Sequence, residues 1–335
     1  MLSLFNKYKP SYYETCKDLV KHSIGYSISL FGLWYFRDSY LSMVTIPLLG
    51  LMNMRTFIIF HDCGHNSYTP IKKLNYVIGS IMGIFVITPF CWSYSHHNHH
   101  LTSGNKANEL DHPQNETVIV TLKQYQHFKD FQKNIFKIVR TPFIFFQVVP
   151  IIKFFILHRG EILINKYYNH PYHQSMNLIL FDTLLNNSGL FLLLVCMNHY
   201  GLLYHYLYSL VSVVSIGFML FHNQHTFNPP YVVTDKMWNK KDSGLLGGSF
   251  IQIPSYLKYF TTGIEYHHIH HMNANVPGYN IQKLHEEITK TTNELDNIVR
   301  LSMRDCYHNL RYSLYDEENH KYISFAEAEL KIKNQ

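Results

Sequence analysis

"CWSYSHHNHHLTSGN", residues 91–105, places four histidines in the five positions from His96 to His100. An imidazole carries polar ring nitrogens that must be satisfied when buried, so a packed core has little use for such a run. An aromatic, apolar approach precedes it, which is not the composition of a flexible tail. The spacing is the informative part. His96, His99 and His100 stand at i, i+3 and i+4, positions that share one face of a helix. A helix there can aim two or three imidazoles at one point, while His97 points elsewhere and serves the surroundings or solvent.

The arrangement recurs. "EYHHIHHMNANVPGYN" carries His267, His270 and His271 at the same spacing, with His268 in the place of His97. "HDCGH" carries His61 and His65 at i, i+4, and "FHNQHTFNPP" offers His222 and His225. A single HxxxH pair is weak evidence. In "HDCGH", Asp62 stands where the zincin helix motif has its glutamate base, and Gly64 weakens the helix. Two HxxHH runs in one chain are not explained by core packing and point to metal. Imidazole suits zinc, copper, iron and nickel. His61, His65, His96, His99, His100, His267, His270 and His271, with His225, exceed the four ligands of a tetrahedral zinc. They fit two metals with four or five nitrogens each. No thiolate accompanies them, which counts against structural zinc and iron–sulfur clusters. His22, His112, His127, His158, His170, His173, His199, His205, His285, His308 and His320 read as surface or packing residues, and no catalytic residue is expected beyond the metal ligands.

The rest of the chain reads as membrane protein. Of its 335 residues 47% are hydrophobic and 16% charged, against roughly 25% charged in soluble domains. Its 26 tyrosines suit a lipid–water boundary. The formal charge of +6 comes without an Arg-rich recognition motif, so nucleic-acid binding is not expected. A modest positive excess fits a face turned to anionic lipids. Cys16, Cys63, Cys91, Cys196 and Cys306 are scattered and form no CxxC pair, which indicates reduced thiols rather than a disulfide framework. The start, "MLSLFNKYKPSYYETCKDLVK", lacks the features of a signal peptide.

Apolar segments at 24–36, 40–60, 176–197 and 202–221 are expected to cross the bilayer, the first only with its flanks. All histidine clusters must meet on one membrane face. The segment 74–92 must therefore re-enter or lie at the interface, and 142–157, broken by Pro150 and Lys153, is expected at the interface. The resulting fold class is an all-α membrane protein of about four transmembrane helices, with both termini and a helical cap on the histidine side. Lys7, Lys9, Lys17 and Lys21 put that side in the cytosol. "IQKLHEEITKTTNELDNIVRLSMRDC", residues 281–306, reads as an amphipathic packing helix. A single domain is expected over 1–335, with its core at about 40–290 and a C-terminal cytosolic tail at 291–335.

With its HxxxH, HxxHH and HxxHH boxes the chain resembles the membrane fatty acid desaturases, over roughly residues 40–290. "TPFCWSYSHHNHHLTSGN" looks like the second box of the acyl-lipid, delta-12/omega-3 branch. "FHNQHTF" is similar to that branch's QH motif and carries His225, and "GIEYHHIHHMNANVPGYNIQKLHEE" resembles the third box. The first box has three residues between its histidines, as in that branch. Departures are His222, where an aromatic residue is common, and "NPPYV".

The resemblance implies a di-iron centre of two Fe ions and O2 as co-substrate. It also implies insertion of a cis double bond into a fatty acyl lipid among the membrane lipids. No HPGG haem motif is present ("DHPQN" at 111–115 is not one), so electrons are expected from a separate donor, cytochrome b5 or ferredoxin. Asp62, Glu265 and Asp111 are candidate acceptors for the second ring nitrogens; ordinary solvated or capping acids are an equal reading. A long apolar cleft should hold the acyl chain. The ending "KIKNQ", with Lys331 and Lys333, matches a KxKxx endoplasmic reticulum signal, with a solvated basic tail as the equal alternative; a bacterial chain would instead lie in the plasma membrane. A related fatty acyl hydroxylase, acetylenase or sphingolipid desaturase shares the boxes. A histidine-rich metal transporter would place its ligands near the membrane midplane, whereas these clusters fall at span ends.

Overall fold

A computed structural model describes residues 2–106, 119–159, 175–234 and 236–334. Asp111, His112, the stretch 111–115, His170 and His173 lie outside them. After α1 (Leu2–Lys7), the long helices α2 (Tyr12–Phe36) and α3 (Ser42–Gly64) pair across the polar turn at 37–39. The Ser11 hydroxyl caps α2 by accepting the Glu14 N–H at 3.3 Å. The polar first half of α2 is tied inward. Asp18 forms a buried ion pair with Arg55 of α3 and accepts the Tyr68 hydroxyl at 3.1 Å, and Arg55 also donates to Thr262 Oγ1 at 2.9 Å. Removing one partner of such a buried pair leaves an uncompensated charge, at a cost of about 3–5 kcal/mol. Outward, α2 presents Val20, Ile24, Ile28, Phe31 and Tyr35 at helical spacing, a stripe suited to lipid.

The next segment enters the bundle and returns. α4 (Lys72–Phe85) runs in from the histidine end, the chain turns at Ile87, and α5 (Trp92–Thr102) leads back. Buried partners satisfy the turn's backbone. Tyr206 donates its hydroxyl to the Phe85 carbonyl at 2.8 Å, and Asn186 donates to the Thr88 carbonyl at 3.2 Å. Ile87 packs with Leu33, Leu49 and Leu210. Irregular backbone at such depth is tolerated only where protein surrounds it.

α6 (Leu122–His127) and α7 (Asp130–Val139) lead to a π-helical turn at Ile144–Val148 and α8 (Val149–Phe155), with a bend of 64° between α7 and the segment after it. The expectation that 142–157 lies at the interface needs amendment, because its far end dips inward. Arg159 donates to the Ile87 carbonyl at 3.0 Å and to Asn186 Oδ1 at 3.2 Å, so carbonyl and amide oxygens meet its charge at the level of the re-entrant turn.

α9 (Met176–His199) and α10 (Leu203–His225) follow, reversing at Gly201, whose φ is +71°. α3, α9 and α10 are each long and apolar enough to span a bilayer. α2 is as long, but only its second half is apolar, and by length and composition the further candidate for a crossing is the bent pair of α7 with residues 144–159, not the expected segment at 24–36. Two polar residues of α9 are held by distant partners: Tyr76 donates to one oxygen of Asp182, and Arg159 donates to Asn187 at 2.9 Å.

The cap contains α11 (Lys240–Gly247), α12 (Lys258–Thr261), α13 (His267–Met272) and α14 (Gly278–Thr291), together with small additions of β structure. β1 (Phe250–Ile251) pairs in parallel with β2 (Arg300–Leu301). After α15 (Met303–Asn309), β3 (Leu314–Asp316) and β4 (Lys321–Ile323) form an antiparallel pair. The single helix expected over 281–306 is not formed. α14 buries Ile281, Leu284, His285 and Ile288 and stops at Thr291. Thr291 and Thr292 turn their hydroxyls back onto the carbonyls of Glu287 and Ile288, a local competitor of helix propagation, and Thr292 is extended. The C-terminal residues fold back, with Leu314, Ile323 and Ala328 packed against Val120, Leu122 and Tyr125. α16 (Phe325–Lys333) holds Lys331 in ion pairs with Asp316 and Glu318, both at 2.8 Å.

Candidate metal centre

The histidine-bearing helices converge where α3 and α10 end. Gly64 permits the approach of α5 to α3, since a Cβ there would lie 2.8 Å from Ser93 Cβ. The glycine that weakens the helix on propensity alone is thus required by packing. α13 is held by its flanks. Gly278 donates its N–H to Asp62 Oδ2 at 2.6 Å, and a Cβ on Gly278 would stand 2.4 Å from the Thr262 carbonyl oxygen.

All nine histidines singled out in the sequence lie here, buried, in two groups. His61, His65, His96, His100 and His270 form the first; His99, His225, His267 and His271 form the second. Within each group the candidate ligand atoms lie within 4.8 Å of one another. Of the two or three imidazoles that each HxxHH run could aim at one point, the structure brings two together and sends the third to the other group. In α5, His96 and His100 serve the first group and His99 the second. In α13, His267 and His271 serve the second and His270 the first. Helical geometry explains the split, because neighbouring positions i+3 and i+4 diverge by about 100°. The i, i+4 pair stays together and the i+3 member crosses over.

Ring nitrogens face each other closely. The Nε2–Nε2 separations are 2.9 Å for His61–His96, 3.2 Å for His96–His100 and 3.0 Å for His100–His270. They are 3.0 Å for His99–His225 and 2.8 Å for His225–His267. The His61 Nδ1 donates to the Asp62 carboxylate and the His225 Nδ1 to the Gly247 carbonyl, each at 3.1 Å, which leaves Nε2 of both rings a lone pair aimed into its group. Two nitrogens bound at about 2.1 Å and at right angles around one ion would sit about 3.0 Å apart. His65 Nε2 and His271 Nε2 are buried and lack a hydrogen-bond partner. Burial, and next the surrounding imidazoles, hold His65, His100, His267, His270 and His271 well below the usual 6.5, so they are neutral and ligand-competent. These observations fit a pair of metal ions.

Other sequence candidates fall outside the groups. His97 is exposed. His268 is buried 3.1 Å from Nδ1 of His285, in neither group and away from solvent. His222 donates Nε2–H to the Asn309 carbonyl at 3.0 Å. Of the carboxylates, Asp62 supports a group imidazole. Glu265 instead accepts the Thr261 hydroxyl at 2.8 Å, and burial pushes its carboxyl up. Asp111 is outside the described residues. Sequence reading missed the Gly247 carbonyl, which has no sequence signal, and the stacking of Trp92 on His96 with centroids 4.6 Å apart, hinted at only by the aromatic approach to the box.

A narrow, partly open cavity extends from His61, His96 and His267 along α10 to Leu210. Its walls include Met54, Phe57, Val213 and Phe218. It touches both histidine groups and is otherwise almost entirely apolar, as a site for a hydrocarbon chain requires.

Residues 38–298 match the family model described as fatty acid desaturase. The chain belongs to the fatty acid desaturase family. This desaturase is 31% identical over 314 residues to a fatty acid desaturase of Bacillus subtilis (strain 168), covering 89% of this chain and 83% of the relative. It is 23% identical to an sn-1 oleoyl-lipid 12-desaturase of Picosynechococcus sp., covering 91% and 85%. A shorter match, 36% identical over 88 residues and 24% of each chain, is to an sn-1 acyl-lipid omega-3 desaturase (ferredoxin) of Nostoc sp.. The protein is thus a membrane-bound desaturase, an oxidoreductase of lipid metabolism, and its buried histidine groups are its candidate metal site.

Proposed function

We propose that the nine histidines of the two groups hold two iron ions, and that the desaturase uses O2 to insert a cis double bond into the acyl chain of a membrane lipid. The observation that carries this reading is the apolar cavity ending on His61, His96 and His267. Iron, when bound, supplies the oxidising power that an unactivated pair of methylenes demands. The chain's own contribution is placement. Asp62 fixes the ring and tautomer of His61, and the Gly247 carbonyl does the same for His225. The cavity walls exclude water and hold the acyl chain in register. Each turnover removes two hydrogens from adjacent carbons and reduces O2 to two waters, so two electrons and two protons come from outside. We infer a separate donor, ferredoxin or cytochrome b5, as the names of relatives carry both. The basic N-terminal segment supports a cytosolic histidine end. The membrane would be the endoplasmic reticulum, or the plasma membrane in a bacterial host.

The test is expression in yeast with fatty acid profiling by gas chromatography, together with metal analysis of the purified chain. A new unsaturated fatty acid and about two irons per chain are expected. A hydroxy acid, or labile zinc without iron, would overturn the reading.

A further inference from the structure

The turn of the re-entrant segment is strained and held by side chains. Ile87 is fully buried at a φ of +51°, a left-handed conformation that β-branched residues avoid. Such a backbone persists only where its surroundings hold it, and such positions gather at functional sites. Beyond the end of α4 the carbonyls of Phe85, Val86, Ile87 and Thr88 each accept a side-chain donor. Tyr206 reaches the first at 2.8 Å and the Thr88 hydroxyl the second at 2.9 Å. Arg159 reaches the third at 3.0 Å and Asn186 the fourth at 3.2 Å.

Arg159 is the cation among these donors, and it joins the most elements. Its Nη1 donates to the Ile87 carbonyl and also to the Phe154 carbonyl at 2.7 Å. Its Nε donates to Asn187 Oδ1 at 2.9 Å and its Nη2 to Asn186 Oδ1 at 3.2 Å. One planar fork thus ties the re-entrant turn to α8 and to α9. A positive charge beside the C-terminal end of α4 also meets the negative end of that helix's dipole. The pieces tied together are walls of the acyl cavity. Val86 and Phe154 both line it. Ile87 packs with Leu210, the lining residue of α10 farthest from the histidines, so the turn closes the far end. Arg159 itself is not part of the lining.

We propose that Arg159 fixes the floor of the acyl cavity and thereby decides which methylenes stop beside the histidines. Arg159 is a positioning residue: it touches no substrate and acts through Val86 and Phe154. The inference rests on the desaturase reading above and adds to it the residue that sets register. The apolar far end takes the methyl terminus, because the other end of an acyl chain carries its polar carrier. A floor held at one depth presents one pair of carbons to the metals. A floor free to yield admits longer chains and lets a chain slide deeper, which brings carbons nearer the carboxyl end to the metals.

The experiment uses the full chain, expressed in yeast for its fatty acid products and purified in detergent for hydrogen exchange. In Arg159→Gln the amides of residues 84–88 should exchange at least about tenfold faster, while those of α3 stay within about twofold. Products of stearoyl length should rise at least about fourfold relative to those of palmitoyl length, the worth of one buried methylene. A second isomer should appear with its double bond nearer the carboxyl end. Arg159→Lys keeps the charge without the fork and should fall between wild type and Arg159→Gln. Should Arg159→Gln not fold, Asn186→Ala, which removes one bond to the turn and one to Arg159, should show the same shifts at smaller size. Products that fall equally for both lengths, at one unchanged bond position, would overturn the proposal, as would unchanged exchange at the turn. Faster exchange with an unchanged product profile would overturn it too, because the turn would then move without setting register. A wild type that forms no unsaturated product fails the desaturase reading, and the register role falls with it. An active wild type with any of the contrary results in the variants fails only the role of Arg159.

Discussion

Filling the far end of the acyl cavity by Val213→Phe should change which chain lengths are accepted. Val213 lies on α10 eight residues from Phe221, about 12 Å along the helix axis, and one turn from Leu210, the lining residue of α10 farthest from the histidines. Phenylalanine adds four carbons to the valine side chain, and the cavity is where they fit. A stearoyl chain exceeds a palmitoyl chain by two methylenes, and each buried methylene is worth about 0.8 kcal/mol. If the ring denies both their place, the stearoyl chain loses about 1.6 kcal/mol relative to the palmitoyl chain, roughly 15-fold in relative kcat/KM. The assay is competition between stearoyl and palmitoyl lipids with purified protein, products being separated by gas chromatography. Val213→Ile should shift the ratio much less, and the thermal transition reports whether the fold survives. A ratio unchanged within twofold in a stable Val213→Phe protein would refute the idea that this cavity measures the acyl chain. Equal losses for both chains would refute it too, because the ring would then obstruct the path rather than its end.

Three further outcomes follow from the histidine geometry. His99→Ala should abolish desaturation and lower metal content, whereas His97→Ala should do neither, because His97 is exposed and belongs to neither group; equal loss from both would undo the helical-face argument. Asp62→Asn should weaken metal retention about 10- to 100-fold in a chelator competition, since it removes the carboxylate that orients His61; retention equal to wild type would assign Asp62 to the Gly278 contact alone. Chelation of the purified protein should lower its thermal transition by about 10 °C and iron should restore it, as expected when two bound ions favour the folded state; an unmoved transition would show that the imidazoles pack stably without metal.

Much of the fold was legible because lipid imposes a simple rule on sequence. Long apolar runs mark α3, α9 and α10, and the need for all histidines to meet on one face left 74–92 to re-enter or to lie at the interface; the structure takes the first course and turns at Ile87. The polar residues inside α9 were harder to place. Asn186 and Asn187 are tolerated there because the Thr88 carbonyl and Arg159, distant in sequence, bond them, and Asp182 accepts the Tyr76 hydroxyl through one of its two oxygens. The end of the helix expected over 281–306 was missed because hydroxyl back-bonding at Thr291 and Thr292 competes with a pattern of apolar spacing that otherwise continues.

The division at the site has the same physical root. Spacing along a helix is local, so the sequence alone determined which histidines of each box share a face and set His97 and His268 apart from them. It could not determine how those faces meet. Which five imidazoles converge and which four, to which group His99 and His270 cross, and the Gly247 carbonyl behind His225 depend on how α3, α5, α10 and α13 are rotated against one another. Only tertiary packing, through close approaches such as Gly64 on Ser93 and Gly278 on Asp62, sets those rotations.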